Sequence, residues 1–448
     1  MKKRLAGVFL ALVMVLSLLP MTALAVDAVD ISNNIGITTE STQDTLDAAL
    51  GAGTATLSSE NGAILVTLQK SISFAPTNNL SFGQGGTTQA DKYILDLNGC
   101  SITSSSITIG NYADLTIRDS SADKTGKVIS TSPTMGAVNN VGQKLTIEGG
   151  TFESVNSYGG TISTAAEVET VINGGTFENA NMGAIASYGS TTINGGTFEG
   201  KYAFLSQVNS EGKAGSFEIP ASSTADVTAA AGVFGTLKNN NYPDARGTID
   251  LKGGTYNMDV SNIAAENFAS FEDENGKFVM GQLDTSNSQA MINSQYFKTL
   301  ADAIRAVQSG ETIVLLKDIP DATGMAVDSG KNFTLDFNNT TYTLVGPGAG
   351  SSGTETNGFQ LLKDSTITFK NGTIRIAENA VNIKRIIQNY ADLTLENMQI
   401  HAEHQQPNEN YALSFNNGNI VFKGNTSVHT SSDDIIAFDV CKFSSYPA

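Results

Sequence analysis

The sequence predicts an all-β fold: a right-handed parallel β-helix solenoid in two tandem modules, each opened by a short capping α-helix. Three observations predict it. Residues 145–153 (LTIEGGTFE), 170–178 (TVINGGTFE) and 191–199 (TTINGGTFE) repeat one strand-turn-strand phrase after 25 and then 21 residues. The phrase NYADLT stands at 111–116 and again, unchanged, at 389–394, which implies a duplicated plan. Forty-four glycines with only 16% charged residues suit a chain of many corners better than a helical globule.

A period in the low twenties is too short for a helix-turn-helix repeat and too irregular for a hexapeptide coil. Each GGTF phrase sets an apolar residue before the turn (Ile147, Ile172, Ile193) and a phenylalanine after it (Phe152, Phe177, Phe198). Stacked coils would align these in vertical rows, with Thr and Glu on the solvent side of each strand. Glu148, Asn173 and Asn194 precede the glycine pairs, and Asn, like Gly, enters the left-handed backbone region at low cost, so these positions are expected to mark corners.

At the N-terminus, Lys2, Lys3 and Arg4 precede an apolar run from Leu5 to Leu19, and Ala23-Leu24-Ala25 supplies a small-residue cleavage site. Residues 1–25 are therefore expected to be a secretory signal peptide. Module one is expected over 26–281. It opens with Thr45-Leu46-Asp47-Ala48-Ala49-Leu50, an amphipathic helix that would cover the apolar end of the first coil, followed by the apolar strand Ile64-Leu65-Val66. A strand at 94–99 (ILDLNG) and the NYADLT corner come next, then the GGTF coils. Asn275-Gly276 between apolar residues predicts a closing hairpin, and the acidic residues Glu272, Asp273 and Glu274 beside it lack the ligand alternation of a calcium loop.

Residues 282–293, rich in Ser and Asn, are expected to be a linker, and module two follows over 294–448. Its helix begins at Thr299, where Thr299 and Asp302 have capping-box spacing and Leu300, Ile304 and Val307 share a face. The run from Ile313 to Leu316 is expected to be a parallel strand buried on both faces. A strand at 334–339 (TLDFNN) matches 94–99. The segment from Gly346 to Gly358 is expected to protrude as a loop, and Asn371-Gly372 to form a corner between strands 365–369 and 373–376. No repeat terminator stands between Ile435 and Ala448, so the second module is expected to be incomplete at its C-terminus.

Charge bounds the partners. The net charge is −18, and removal of the three basic residues with the signal peptide makes it about −21, which argues against nucleic acid. Anionic polymers such as polygalacturonate would be repelled unless divalent cations or a local basic patch intervene. No later stretch reaches the length of a membrane span, so no membrane insertion is expected after signal removal. Cys100 and Cys441 fall in different modules and are expected to be free thiols. Tryptophan is absent, leaving twelve tyrosines for any sugar contact.

The order of helix, apolar strand, LDLNG-type strand, NYADLT and GGTF corners resembles the right-handed β-helix surface proteins secreted by Gram-positive bacteria, within the broad pectin-lyase-like class, over nearly all of the mature chain. The resemblance implies a rigid, elongated extracellular module with adhesive or glycan-contacting roles. A wall-sorting motif of the LPxTG type is not found.

Enzymatic signals are thin. Asp433-Asp434 is similar to the double Asp of β-helix galacturonide hydrolases, but the companion Asn-x-Asp, Gly-His-Gly and Arg-x-Lys patterns are missing in order, and adjacent acids usually sit at a solvated turn. Lys384-Arg385 could bind an acidic sugar, with strand-edge solvation as the plainer role. His401 and His404 around Glu403 would pair on a metal only if helical, and their neighbours read as strand and loop. The glycines at 83–86 lack a phosphate-loop ending, and no Gly-x-Ser-x-Gly elbow supports nucleophilic catalysis. Glu153, Glu178 and Glu199 would stack about 5 Å apart and either splay into solvent or hold a cation such as calcium. No catalytic residue, binding residue, metal ligand or cofactor is assigned. The expectation is a secreted or cell-surface, non-enzymatic scaffold that contacts an extracellular polysaccharide or a host or bacterial surface glycan. The alternatives are a polysaccharide lyase or glycoside hydrolase, and a purely structural stalk.

Overall fold

The computed structural model describes residues 28–83, 91–351, 354–404, 411–431 and 436–442. With 54% strand and 5% helix it is all-β, and the strands wind into a β-solenoid of about 14 turns. Contacts divide the chain into two compact units, the first ending at Gly281 and the second starting at Gln282. Among the described residues no helix is long and apolar enough to cross a membrane.

In the first unit, strands one coil apart in sequence are neighbours in space. Ala63–Leu68, Lys92–Asp96, Asp114–Arg118, Lys144–Ile147, Glu169–Ile172, Ser190–Ile193, Ser216–Ile219 and Thr248–Leu251 pair in that order, all parallel. Parallel neighbours without crossover helices are the mark of a solenoid, in which each coil buries its apolar side against the coils above and below. On the opposing sheet the register runs Ile72, Ile102, Val128, Phe152, Phe177, Phe198, Val227, Tyr256. Phe152, Phe177 and Phe198 stack with centroids 5.1 and 5.0 Å apart and planes within 9°, fully buried. Each such side chain contributes roughly 1.5–3 kcal/mol of burial.

The corners differ from expectation in which residue carries the turn. The left-handed residue is the second glycine of each pair, Gly150, Gly175 and Gly196, at φ +102°, +103° and +110°, not the residue before the pair. Asn173 and Asn194 instead link coils through their side chains, the Asn194 amide donating to Asn173 Oδ1 at 2.8 Å. A fourth copy of the corner appears at Gly253-Gly254-Thr255-Tyr256, with Gly254 at +93° and Tyr256 continuing the phenylalanine row.

Helix α1 spans Gln43–Leu50, starting before the expected Thr45 because Thr42 and Thr45 form a reciprocal capping box; Leu46 and Leu50 are buried. The adjoining strand Ala55–Glu60 runs antiparallel to Ala63–Leu68. In the latter, Leu65 and Val66 are buried and Ile64 is half-buried, so burial on both faces is only partial. At the far end Phe268–Glu272 and Phe278–Gln282 pair across the predicted turn, where the Asp273 carboxylate accepts the amides of Asn275 and Lys277. Those bonds hold the Asp273 carboxyl below its ordinary pKa, as expected of a solvated Asx turn.

The second unit begins with a hairpin, Ala290–Ile292 with Gln295–Phe297, so the last part of the stretch expected to be linker is strand; Ala290–Ile292 also pairs with Glu311–Leu315. Helix α2, Leu300–Ala306, is capped by Thr299, whose Oγ1 accepts the Asp302 amide and donates to the Asp302 carboxylate. Glu311–Leu315 buries Ile313 and Leu315 but leaves Val314 half-exposed, an alternation in place of the expected two-sided burial. One sheet then stacks Glu311–Leu315, Asn332–Asp336, Thr366–Ile376, Asp392–Ala402 and Asn419–Lys423. The other stacks Met325–Val327, Thr354–Leu361, Arg385–Asn389, Tyr411–Asn416 and Ile436–Cys441, all parallel.

In the glycine-rich segment 346–358, expected to protrude as a loop, the described residues are largely strand: Ala349–Ser351 pairs antiparallel with the start of Thr354–Leu361. Thr354–Leu361 is an interior strand of the second sheet, and its glycines permit close backbone approach: a Cβ on Gly348 would lie 1.9 Å from Gly324 O, and one on Gly358 2.6 Å from Ile386 O. Both NYADLT asparagines are fully buried corner pins. Asn111 Oδ1 accepts the Ala113 amide and its Nδ2 donates to Asn140 Oδ1; Asn389 Oδ1 accepts the Ala391 amide.

Candidate functional site

A strand points alternate side chains outward, so a solenoid in register turns one outward position per coil into a row spaced about 4.8 Å apart. In the second unit Thr312, Thr334, Thr368 and Thr394 form such a row. Beside it runs Asp336, Lys370, Glu396, Lys423, alternating in sign, with a 3.3 Å ion pair between Lys370 and Asp336. The first unit repeats the device with Thr116, Thr146, Val171 and Thr192 flanked by Lys92, Asp114, Lys144 and Glu169. There Arg118 is held between Glu60 at 2.8 Å and Asp96 at 3.0 Å, which lowers the Glu60 pKa.

Glu153, Glu178 and Glu199 are in register as expected. Lys127 neutralises one end, its ammonium 2.6 Å from Glu153. Although the Glu178 side chain is exposed as a whole, its carboxylate is partly shielded from solvent between the flanking strands. That shielding, and then the charges of Glu153 and Glu199, raise its pKa. Among the described residues no group of three or more His, Cys, Asp or Glu side chains is arranged to hold a metal ion.

Among the described residues of the second unit, two concavities bear on function. One, about 730 Å³, borders the NYADLT corner and is lined by Lys363, Asp364, Tyr390, Asp392, Asn417 and Asn419 among others. Asp392 Oδ1 accepts from the side-chain Nδ2 of Asn419 at 2.6 Å, fixing one edge. The other, about 470 Å³, is lined by Thr341, Thr373, Arg375, Glu378, His401, Glu403 and His404. His401 leaves strand Asp392–Ala402 pointing outward, with Nδ1 2.9 Å from Glu403 Oε1. His429, its register partner on the next coil, stacks on it with ring centroids 4.6 Å apart and planes 9° apart. Thus the chain's only three histidines, His401, His404 and His429, gather at one place.

The remaining sequence candidates disperse. Asp433-Asp434 lies outside the described residues, as do glycines 85 and 86 of the 83–86 stretch. Lys384 and Arg385 are half-buried, and Arg385 opens a strand seated between Thr354–Leu361 and Tyr411–Asn416, so it does not lie on a solvated strand edge. Cys100 and Cys441 are free. His429 was not singled out from the sequence, because its proximity to His401 depends on the length of one coil. Comparison with protein-family models, curated proteins and solved structures returned no match, so function must be reasoned from these residues.

Proposed function

We propose that the protein is an exported, non-enzymatic surface scaffold of the right-handed, pectin-lyase-like β-helix kind known from Gram-positive bacteria, which contacts extracellular glycan along its outer strand faces. In this reading residues 1–25 direct export, the two units are tandem modules, and α1 and α2 cap their first coils, keeping apolar interior and strand edges from associating with other chains. Its partner is an extracellular polysaccharide or a host or bacterial surface glycan.

The observation that carries the reading is the register of outward Thr and alternating charged rows. It gives long, largely polar faces with a hydrogen-bonding group on most coils, on which several weak contacts add in avidity. The groove beside Tyr390 supplies an aromatic face among polar side chains, a composition suited to sugar.

A second reading, as a polysaccharide lyase or glycoside hydrolase, is favoured by one feature: Arg375, Glu378, His401 and Glu403 come from neighbouring coils into one concavity. The third, a stalk, would bind nothing. One experiment separates them. The mature chain is screened against plant, mucin and bacterial wall glycans, with ultraviolet absorbance and reducing ends followed in the same wells. Retention on a glycan without new product is expected. New ends or unsaturated products would replace the scaffold by an enzyme, and inertness towards every polymer would leave the stalk.

A further inference from the structure

The histidine cluster is built across three successive rungs. Arg375, His401 and His429 are register partners, pointing outward from Thr366–Ile376, Asp392–Ala402 and Ser427–Thr430. Arg375 and His429 are exposed and His401 is half-exposed, so the row faces solvent. Its geometry is fixed from the sides: Arg375 Nε donates to Thr343 Oγ1 at 3.1 Å, Glu403 holds His401 Nδ1, and Ser427 Oγ lies 2.8 Å from His429 Nε2. With Nδ1 committed to Glu403, the Nε2 edge of His401 is the one presented to a ligand.

The charges facing this row are Arg375, Glu378, Glu403 and the three imidazoles. The bond from His401 helps to keep the Glu403 carboxyl below its ordinary pKa against the opposing effect of burial, so Glu403 stays ionised. Histidine is the side chain whose charge ordinarily changes between about pH 5 and 8. With uncharged imidazoles, two carboxylates outweigh one guanidinium and the patch repels anions. Protonation adds up to three positive charges and reverses the sign. Two stacked imidazolium rings 4.6 Å apart repel each other, so the doubly protonated pair is favoured when an anion lies beside it.

We propose that this cluster is a proton-gated oxyanion site, which holds a carboxylate or sulfate ester of an extracellular glycan in acidic surroundings and releases it near neutrality. The choice of a polymer over a free ion rests on the glycan-contacting reading above. The site supplies the local basic patch that a chain of net charge −18 needs before an acidic polymer can approach it.

The test uses the untagged mature chain, whose three histidines give a simple set of imidazole NMR signals. Titrated in sodium sulfate and in sodium chloride of equal ionic strength, at least two signals are expected to shift their midpoints upward by about half a pH unit or more in sulfate. Identical midpoints in the two salts would overturn the site. Binding of a sulfated polysaccharide, a polyuronate and a neutral glucan is then measured at about pH 5.5 and pH 7.5 for the wild type and for the His401→Gln/His429→Gln double variant. About tenfold tighter binding of an acidic polymer at the lower pH, lost in the variant, is expected. Sulfate-dependent midpoints with no polymer bound would keep the oxyanion site and overturn the glycan reading. Polymer binding that ignores pH and survives the double substitution would do the reverse. The NMR arm needs no variant and stands even if the double substitution disturbs folding.

Discussion

The first unit turns its recurring GGTF-type corner on glycine, and the second turns most of its corners on asparagine, with Gly424 following Asn371 and Asn397 in the same register. In the first, Gly150, Gly175, Gly196 and Gly254 sit at φ between +93° and +110°, well beyond the left-handed helical well near +57°. In the second, Asn338, Asn371 and Asn397 lie at +51°, +57° and +54°, inside that well, where a short amide side chain is tolerated. The glycine corner lets backbones approach until a Cβ on Gly175 would stand 2.9 Å from Gly150 O. The asparagine corner uses its side chains as rungs: Asn371 donates to Asp336 at 3.2 Å, Asn397 donates to Asn371 at 3.3 Å, and Asn397 accepts the Asn425 amide at 3.0 Å. The first unit's winding thus leans on glycine's backbone freedom, with the Asn194–Asn173 rung beside it, and the second unit's leans more on asparagine side-chain rungs.

The largest effect expected concerns what both corners serve. Phe177→Ala removes the middle ring of the stacked row, and Phe369→Ala removes a ring packed edge-on against Phe337 and Phe359. Each should cost roughly 3–5 kcal/mol in denaturant unfolding of its own unit, since both are fully buried. A clear inequality between them would show that parallel stacking and edge-on packing are not equivalent ways to fill the coil.

Next come the corners themselves. Gly175→Ala should destabilise by about 2–3 kcal/mol, from a forbidden φ together with the contact with Gly150 O. Asn371→Ala should cost about 1–2 kcal/mol, and Asn371→Gly less than about 1, because glycine keeps the conformation and loses only the rung. Equal losses for Gly175→Ala and Asn371→Ala would remove the distinction between the two corner types.

These contrasts mark what was legible in the sequence. The phenylalanine row could be read because one phrase recurs with little change, and the closing turn at Asp273 because Asn275-Gly276 states it locally. The fourth glycine corner was missed because Tyr256 replaces phenylalanine, although Gly253-Gly254-Thr255 was there to be matched. The start of α1 was missed because Thr45 served as the capping partner of Thr42 and not as the cap. That Gly348 and Gly358 sit in close-packed backbone is not legible, because local composition cannot distinguish an open turn from backbones packed too close for a Cβ. The histidine cluster was invisible for a different reason. His401 and His429 meet only after the coil between them has closed, and coil length is set by corners, not by any motif around either histidine.

The smallest effect separates the two units by charge. Glu178 stands between like charges, whereas Lys370 stands between Asp336 and Glu396. The folded-state pKa of Glu178 lies above its ordinary value, so the folded protein binds the proton more tightly than the unfolded chain. Its contribution to stability therefore falls as pH rises through the window from the ordinary glutamate value to the raised one. Ionised Glu178 is then a net cost that Glu178→Gln removes. Thermal melts should show the variant slightly more stable at about pH 7, by no more than about 0.5 kcal/mol because the group is exposed and screened, with the gain vanishing near pH 4 and shrinking in high salt. Lys370→Gln should have the opposite sign at neutral pH, since it breaks the Asp336 ion pair and leaves Asp336 and Glu396 flanking a neutral residue. If Glu178→Gln is destabilising at about pH 7, the row is not a stack of repelling charges but is held by a bound cation, and calcium should then raise the wild-type melting temperature and leave the variant unmoved.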